Sequence, residues 1–213
     1  MRLVQRELLD SLPHDDPAAQ RSRRELLLIN RIMGNHRWVC RTLSQREVRE
    51  DRVLELGAGD GSLARHVWND GIMQPSQWSA LDLAPAPPDW PDAAAWHQRD
   101  LFDLMVLPDV KIIVANLFLH HLQNSQLALL GTRLPESCRT LLVCEPARRR
   151  VYSLMGRLLC AMIQLSSVTR HDMLASIRAG FLGDELAQAL GLHGWQTTVK
   201  VTSLGAYRFT ATR

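Results

Sequence analysis

The run Val53-Leu54-Glu55-Leu56-Gly57-Ala58-Gly59-Asp60-Gly61 joins a short apolar stretch to glycines at alternate positions, and a helical pattern follows from Ser62. Glycine lets a backbone turn tightly and come close to a ligand. Between a strand and a helix of an open α/β sheet, such a turn is where nucleotide-like ligands bind. The spacing narrows the ligand. A dinucleotide turn reads G-x-G-x-x-G and places a pyrophosphate at the helix N-terminus. Here the third glycine comes one residue early, as G-x-G-x-G, and Glu55 stands two residues before the first. A carboxylate beside the turn repels a phosphate and suits a cationic or amino-bearing ligand.

Asp82, in Ala80-Leu81-Asp82-Leu83-Ala84-Pro85, lies about twenty residues beyond the turn, where an acid can accept hydrogen bonds from both ribose hydroxyls. Ribose binding is the favoured reading, and a helix cap or turn former is the alternative. Eight histidines are candidates for proton transfer, since an imidazole titrates near neutral pH. His120 and His121 follow an apolar run, and neighbouring helical side chains diverge, so one of the two faces a pocket. His171 is followed by Asp172, which could orient an imidazole or form a solvated loop pair with it. His14, His66, His97 and His193 read as structural or surface residues. His36 approaches the site only if the N-terminal segment folds over it.

The segment E-L-G-A-G-D-G after a strand resembles motif I of the class I S-adenosylmethionine (SAM)-dependent methyltransferases. That resemblance implies SAM as cofactor, with Glu55, Gly57, Ala58, Gly59 and Gly61 in the turn and Asp82 on the ribose. It puts Leu83 on the adenine face, Asp100 and the backbone of Leu101 at the adenine edge, and Asn116 between cofactor and acceptor. Val114-Ala115-Asn116-Leu117-Phe118-Leu119-His120-His121-Leu122 is similar to motif IV of the small-molecule enzymes. It lacks the N-P-P-Y or D-P-P-Y of enzymes that methylate nucleobase amines. The fuller set, adding E-P-A-R-R at Glu145 and H-D-x-x-x-S at His171, is similar to small bacterial methyltransferases of polyketide and aryl-lipid biosynthesis. Their loop has glycine where this chain has Met173. The resemblance makes Glu145, Met155, Leu159 and Asp172 candidate acceptor contacts, and His171, His120 and His121 candidate bases.

Strands and helices alternate around these residues. Strands are expected over 52–56, 78–83, 94–98, 110–116 and 140–145. Helices are expected over 62–69, 124–137, 148–165 and 184–192. Residues 195–201 and 206–212 form a closing antiparallel hairpin. This βαβ order predicts an α/β, doubly wound, mostly parallel seven-stranded sheet, with a helical insertion after the fifth strand. An N-terminal helical arm, residues 1–50, precedes the domain of residues 51–213. Asp15-Asp16-Pro17 marks its helix start, with a break near Gly34-Asn35. The arm serves as a lid or as a homodimer element.

The chain has 213 residues, 46% hydrophobic and 22% charged, which suits one globular domain. A net charge of +3 is too mild to argue for nucleic acid. The four cysteines have no C-x-x-C pair and read as reduced thiols of a cytosolic protein. The N-terminus lacks a signal-peptide core, and the apolar stretch 151–165 is too short and polar to span a membrane. Lysine occurs only at 111 and 200, a bias that fits GC-rich bacterial coding.

These readings lead to a cytoplasmic SAM-dependent methyltransferase acting on a small hydrophobic acceptor, with O-methylation of a phenolic or polyketide-type hydroxyl foremost. C-methylation of an aromatic or quinone precursor is the alternative within that chemistry. A non-catalytic SAM-binding protein is the alternative outside it, and an RNA methyltransferase would need a basic groove with stacking aromatics. No carboxylate cluster for magnesium is visible in the sequence, so no metal is expected.

Overall fold

Val53, Leu54, Glu55 and Leu56 are all buried, as a central parallel strand requires, and they form β1 (Val53–Leu56). The other strands are β2 (Trp78–Asp82), β3 (Ala95–Gln98), β4 (Ile112–Asn116), β5 (Thr140–Pro146), β6 (Gln196–Val201) and β7 (Ala206–Thr212). They make a seven-stranded sheet in the order β3-β2-β1-β4-β5-β7-β6. Strands β1 to β5 run parallel, and β7 pairs antiparallel with both β5 and β6. The chain order reverses between β1 and β4, so the crevice beyond their carboxyl ends is the topological switch point where this architecture binds ligands. The computed structural model describes residues 2–13, 16–46, 48 and 50–213.

The helices are α1 (Pro17–Met33), α2 (Asn35–Ser44), α3 (Ser62–Asn69), α4 (Asn124–Thr132), α5 (Arg150–Met162), α6 (Ser167–Ala179) and α7 (Glu185–Ala189). Alternation along the buried strands sends successive side chains to opposite faces. Ile113 and Ala115 of β4 join Leu127, Leu130 and Leu186 from α4 and α7. Ile112 and Val114 join Val39, Leu43, Leu63 and Val67 from α2 and α3. Two apolar layers thus clamp the sheet and hold its carboxyl edge in place.

Asp16 caps α1, accepting from the N–H of Ala18 at 2.7 Å, while Asp15 and His14 lie outside the described residues. At Gly34 the chain turns through φ 65° and begins α2 at once. The helix expected over 124–137 stops at Thr132, because Pro135 disfavours helical geometry at the residue before it. The largest departure is α6. Residues 169–181 read as a long loop, yet Ser167–Ala179 is a helix with Ser166 as its cap, accepting from Thr169 N–H at 3.2 Å. Glu25 of α1 reinforces that start, accepting from Ser166 N–H at 3.0 Å. This partner lies 141 residues away in sequence, so no local pattern reports it.

Candidate functional site

Gly57, Gly59 and Gly61 all adopt positive φ, at 65°, 60° and 70°. Only glycine takes this conformation repeatedly without strain. The turn is held from β2, with Gly57 N–H donating to Leu81 O at 2.9 Å. A side chain at Gly57 would run into Phe118, whose ring lies 2.2 Å from where a Cβ would stand, whereas no atom lies within 4 Å of that point at Gly59. The open space required for a ligand is therefore in front of the middle glycine.

Asp82, at the end of β2, accepts from Gly59 N–H at 2.7 Å through Oδ2 and from Ala84 N–H at 2.8 Å through Oδ1. Each carboxylate oxygen has a second lone pair, so the acid can brace the turn and still accept from a ligand hydroxyl. Leu83 is 70% exposed beside it, an apolar surface left open to an aromatic ring. Asp100 accepts from Phe102 N–H at 2.8 Å and caps the 3-10 turn Leu101–Asp103. Leu101 is buried in the core, so only its backbone can serve a ligand.

Glu55 requires a correction. The sequence places a charged carboxylate beside the turn, but the side chain is 2% exposed and accepts from Trp78 Nε1–H at 3.0 Å. Burial pushes its carboxyl up to about 8, although the Trp78 bond works the other way. Its burial and raised pKa favour the neutral form. It sits beneath the turn because strand alternation points it, like Val53, toward the α2–α3 layer.

Asn116 ends β4 beside β1, and the arm reaches it. Its Nδ2 lies 3.3 Å from Asn30 Oδ1 and 3.5 Å from His36 Nε2. His36 packs edge-on against His66 of α3, with ring centroids 5.1 Å apart. Burial, then the neighbouring His66, lowers the His36 pKa to about 4, so the ring is neutral. A cavity of about 510 Å³ lies between the arm and α3, lined by Asn30, His36, Arg37, Ser62 and His66 among others. Its size falls in the range of small-molecule sites. Asn116 Oδ1 and Asn35 Oδ1 are buried without hydrogen-bond partners. Asn30, Ser62 and His66 were not foreseen, because only the folded arm brings α1 to the end of β4.

A second cluster forms where the 3-10 turn Leu119–His121 follows β4. Glu145 of β5 is fully buried. Its Oε1 accepts from Phe118 N–H at 3.0 Å and Leu119 N–H at 2.7 Å, and Oε2 lies 2.6 Å from His120 Nδ1. Glu145 is therefore not free to contact an acceptor, and its role becomes that of positioning His120. The other nitrogen, Nε2, faces Glu7 Oε1 at 3.4 Å. Burial alone would lower the His120 pKa, but the charges and hydrogen bonds of Glu145 and Glu7 raise it to about 9. His121 stacks obliquely on it, centroids 4.2 Å apart. Burial and the charge of His120 lower its pKa.

His171 and Asp172 lie on α6 rather than in a loop. Asp172 is 1% exposed and accepts from the N–H groups of Leu8 and Leu9 at 2.7 and 2.9 Å. It anchors the N-terminal segment and has no face for an acceptor, which corrects its expected role. His171 Nδ1 meets Asp172 Oδ1 at 2.9 Å, with the ring half exposed. Met155 and Leu159 are on α5, and Met155 turns outward at 36% exposure. The N-terminal segment is tied down further by Arg2, which donates to the carbonyls of Ala179 and Leu122 at 2.7 and 3.1 Å and covers the Phe181 ring.

No protein-family model and no curated protein sequence matches this chain. Solved structures do. The plantazolicin methyltransferase BpumL, in complex with a triazolic desmethylPZN analog and SAH, matches with a TM-score of 0.72 at 10% identity, over 96% of this chain and 93% of that one. The pyocyanin biosynthetic protein PhzM matches with a TM-score of 0.62 at 17% identity, over 98% of this chain. Human N-acetylserotonin methyltransferase in complex with SAM matches with a TM-score of 0.59 at 16% identity, also over 98%. This chain spans 62% and 63% of the length of those two proteins. At these identities the likeness is one of fold, and it bears out the sheet architecture expected from the sequence. Among the described residues no helix is long and apolar enough to cross a membrane.

Proposed function

We propose that this chain is a SAM-dependent methyltransferase acting on a small, hydrophobic acceptor, with O-methylation of a phenolic or related hydroxyl as its reaction. One observation carries the reading. Asp82 braces the middle glycine of a turn of three positive-φ glycines at the switch point of the sheet, with open space in front of Gly59. The residues fit SAM: Asp82 for the ribose, Leu83 and the Asp100–Leu101 backbone for the adenine, and Asn116, Asn30 and His36 for the amino-acid end. The fold neighbours include methyltransferases whose structures hold SAM or SAH.

When bound, SAM supplies an electrophilic methyl group on a sulfonium. What the chain must then do is align the acceptor, exclude water and take up a proton. His120 is the base this geometry favours over His171. Glu145 holds Nδ1–H at 2.6 Å and leaves Nε2 to receive the acceptor's proton. Glu7 now stands opposite Nε2, so an acceptor hydroxyl takes the place of the Glu7 oxygen. The apolar side chains of α5, Met155 and Leu159 among them, are the proposed acceptor wall.

Calorimetric titration with SAM and S-adenosylhomocysteine tests the cofactor. Micromolar binding is expected, and its absence from folded protein overturns the reading. Radiolabelled methyl transfer to phenolic acceptors then tests the chemistry.

A further inference from the structure

We propose that Glu7, His120 and His121 form a binding site for a divalent transition-metal ion of the zinc type. Three features support it. First, one donor atom from each residue lies within 4.8 Å of the other two. Zinc held at about 2.0–2.2 Å from each needs its donors roughly 3.3 Å apart, so the cluster must contract by about an ångström or more around an ion.

Second, His120 is already oriented as a metal ligand. Ligating histidines give their other ring N–H to a carboxylate, which fixes the tautomer and raises ligand basicity. Glu145 does this at 2.6 Å, and is itself fixed by two backbone N–H groups. The remaining nitrogen, Nε2, is buried and faces the Glu7 carboxylate, whose Oε1 lies 3.4 Å away and also accepts from Ser176 Oγ.

Third, the donor set itself selects the ion: Glu7, His120 and His121 offer one carboxylate and two imidazoles. Two imidazoles with carboxylate oxygens suit zinc and its neighbours in the first transition row better than magnesium or calcium.

Binding an ion has a structural consequence. It uses the lone pair of His120 Nε2 and pins the N-terminal segment through Glu7. On the methyl-transfer reading, the ion and the acceptor proton compete for one nitrogen, so the metal acts as an inhibitor. The binding itself does not depend on that reading.

The test uses the full chain, freed of metal by chelation and shown to be folded by circular dichroism. Titration with Co²⁺ should give the visible absorption of a low-coordinate nitrogen–oxygen site, saturating at one ion per chain. Zn²⁺ should displace it and raise the melting temperature. His121→Ala should weaken binding by at least about tenfold, and Glu145→Gln by about 10–100-fold, as for an outer-shell partner. Glu7→Gln should weaken it too. His121→Ala decides the matter if Glu7→Gln loosens the N-terminus. Absent cobalt bands overturn the proposal, as does affinity unchanged in His121→Ala. Binding lost instead in His66→Ala would assign the ion to the His36–His66 pair and also overturn it.

Discussion

Asp82 Oδ2 lies 2.7 Å from the backbone N–H of Gly59, so the acid ending β2 grips the middle glycine of the turn that ends β1. The two residues are 23 positions apart, and parallel pairing of β1 with β2 brings them together. The acid shapes the turn before any ligand arrives, which reduces the ordering cost of binding.

Asp82→Ala should therefore weaken SAM binding twice over, by removing a ligand contact and by releasing Gly59. Hydrogen bonds to charged groups are worth about 1.5–3 kcal/mol each, so an affinity loss of at least about tenfold is expected by calorimetry. The fold should survive, because the side chain sits at a loop edge. Unchanged affinity would remove Asp82 from the site.

Substitutions within the glycine turn should separate folding from binding. Gly59→Arg projects into open space but strains a backbone at φ 60° by about 1–2 kcal/mol, so it should abolish SAM binding while the chain still folds with a modestly lower melting temperature. Gly57→Ala drives a Cβ into Phe118 and should lower the melting temperature. Parallel melting and calorimetry on the two variants check the contrast.

The base should declare itself in the pH profile. His120 is raised to about 9 from its ordinary 6.5, so the neutral form able to take a proton grows as pH rises. kcat/KM should climb through neutrality and level off above about 9. Glu145→Gln removes the nearest charge favouring the imidazolium. It should shift the profile toward lower pH and reduce kcat by about a hundredfold, within the usual range for general-base catalysis. A profile unchanged in Glu145→Gln, with kcat lost in His171→Ala, would return the role to His171.

Glu55 should make stability depend on pH. Its folded-state pKa is raised from 4.5 to about 8, so the folded chain keeps a proton that the unfolded chain releases. Stability should fall as pH rises across that window, by at most roughly 1.4 kcal/mol per pH unit. Glu55→Gln keeps an acceptor for Trp78 Nε1–H and removes the titration. Its melting temperature should gain on the wild type steadily from acid to mildly alkaline pH, and parallel curves would contradict the assignment.

The succession of strands and helices and the glycine turn could be read from sequence because both are local. The continuous apolar run of β4, the helix start at Ser62 and the spacing of Gly57, Gly59 and Gly61 each depend on residues a few positions apart. Asp82 was readable as well, since a βα unit of ordinary length fixes where the next strand ends. Glu55 was misjudged because the sequence gives its position before the glycines but not its depth. The pleat that turns it toward Trp78 also favours its neutral form.

The roles of His120, Glu145, Asp172 and α6 belonged to the tertiary structure. Glu145 reads as a strand-end acid, yet it is spent on Phe118, Leu119 and His120 from a neighbouring strand's loop. Asp172 reads as the partner of His171, yet it also accepts from the backbone of Leu8 and Leu9, some 160 residues earlier. Sequence alone determined the alternation of strands and helices and the glycine turn, whose signals are periodic and short-range. Only the folded chain decided which acids and imidazoles share a space, because hydrogen bonds and charge act through distance rather than along the chain.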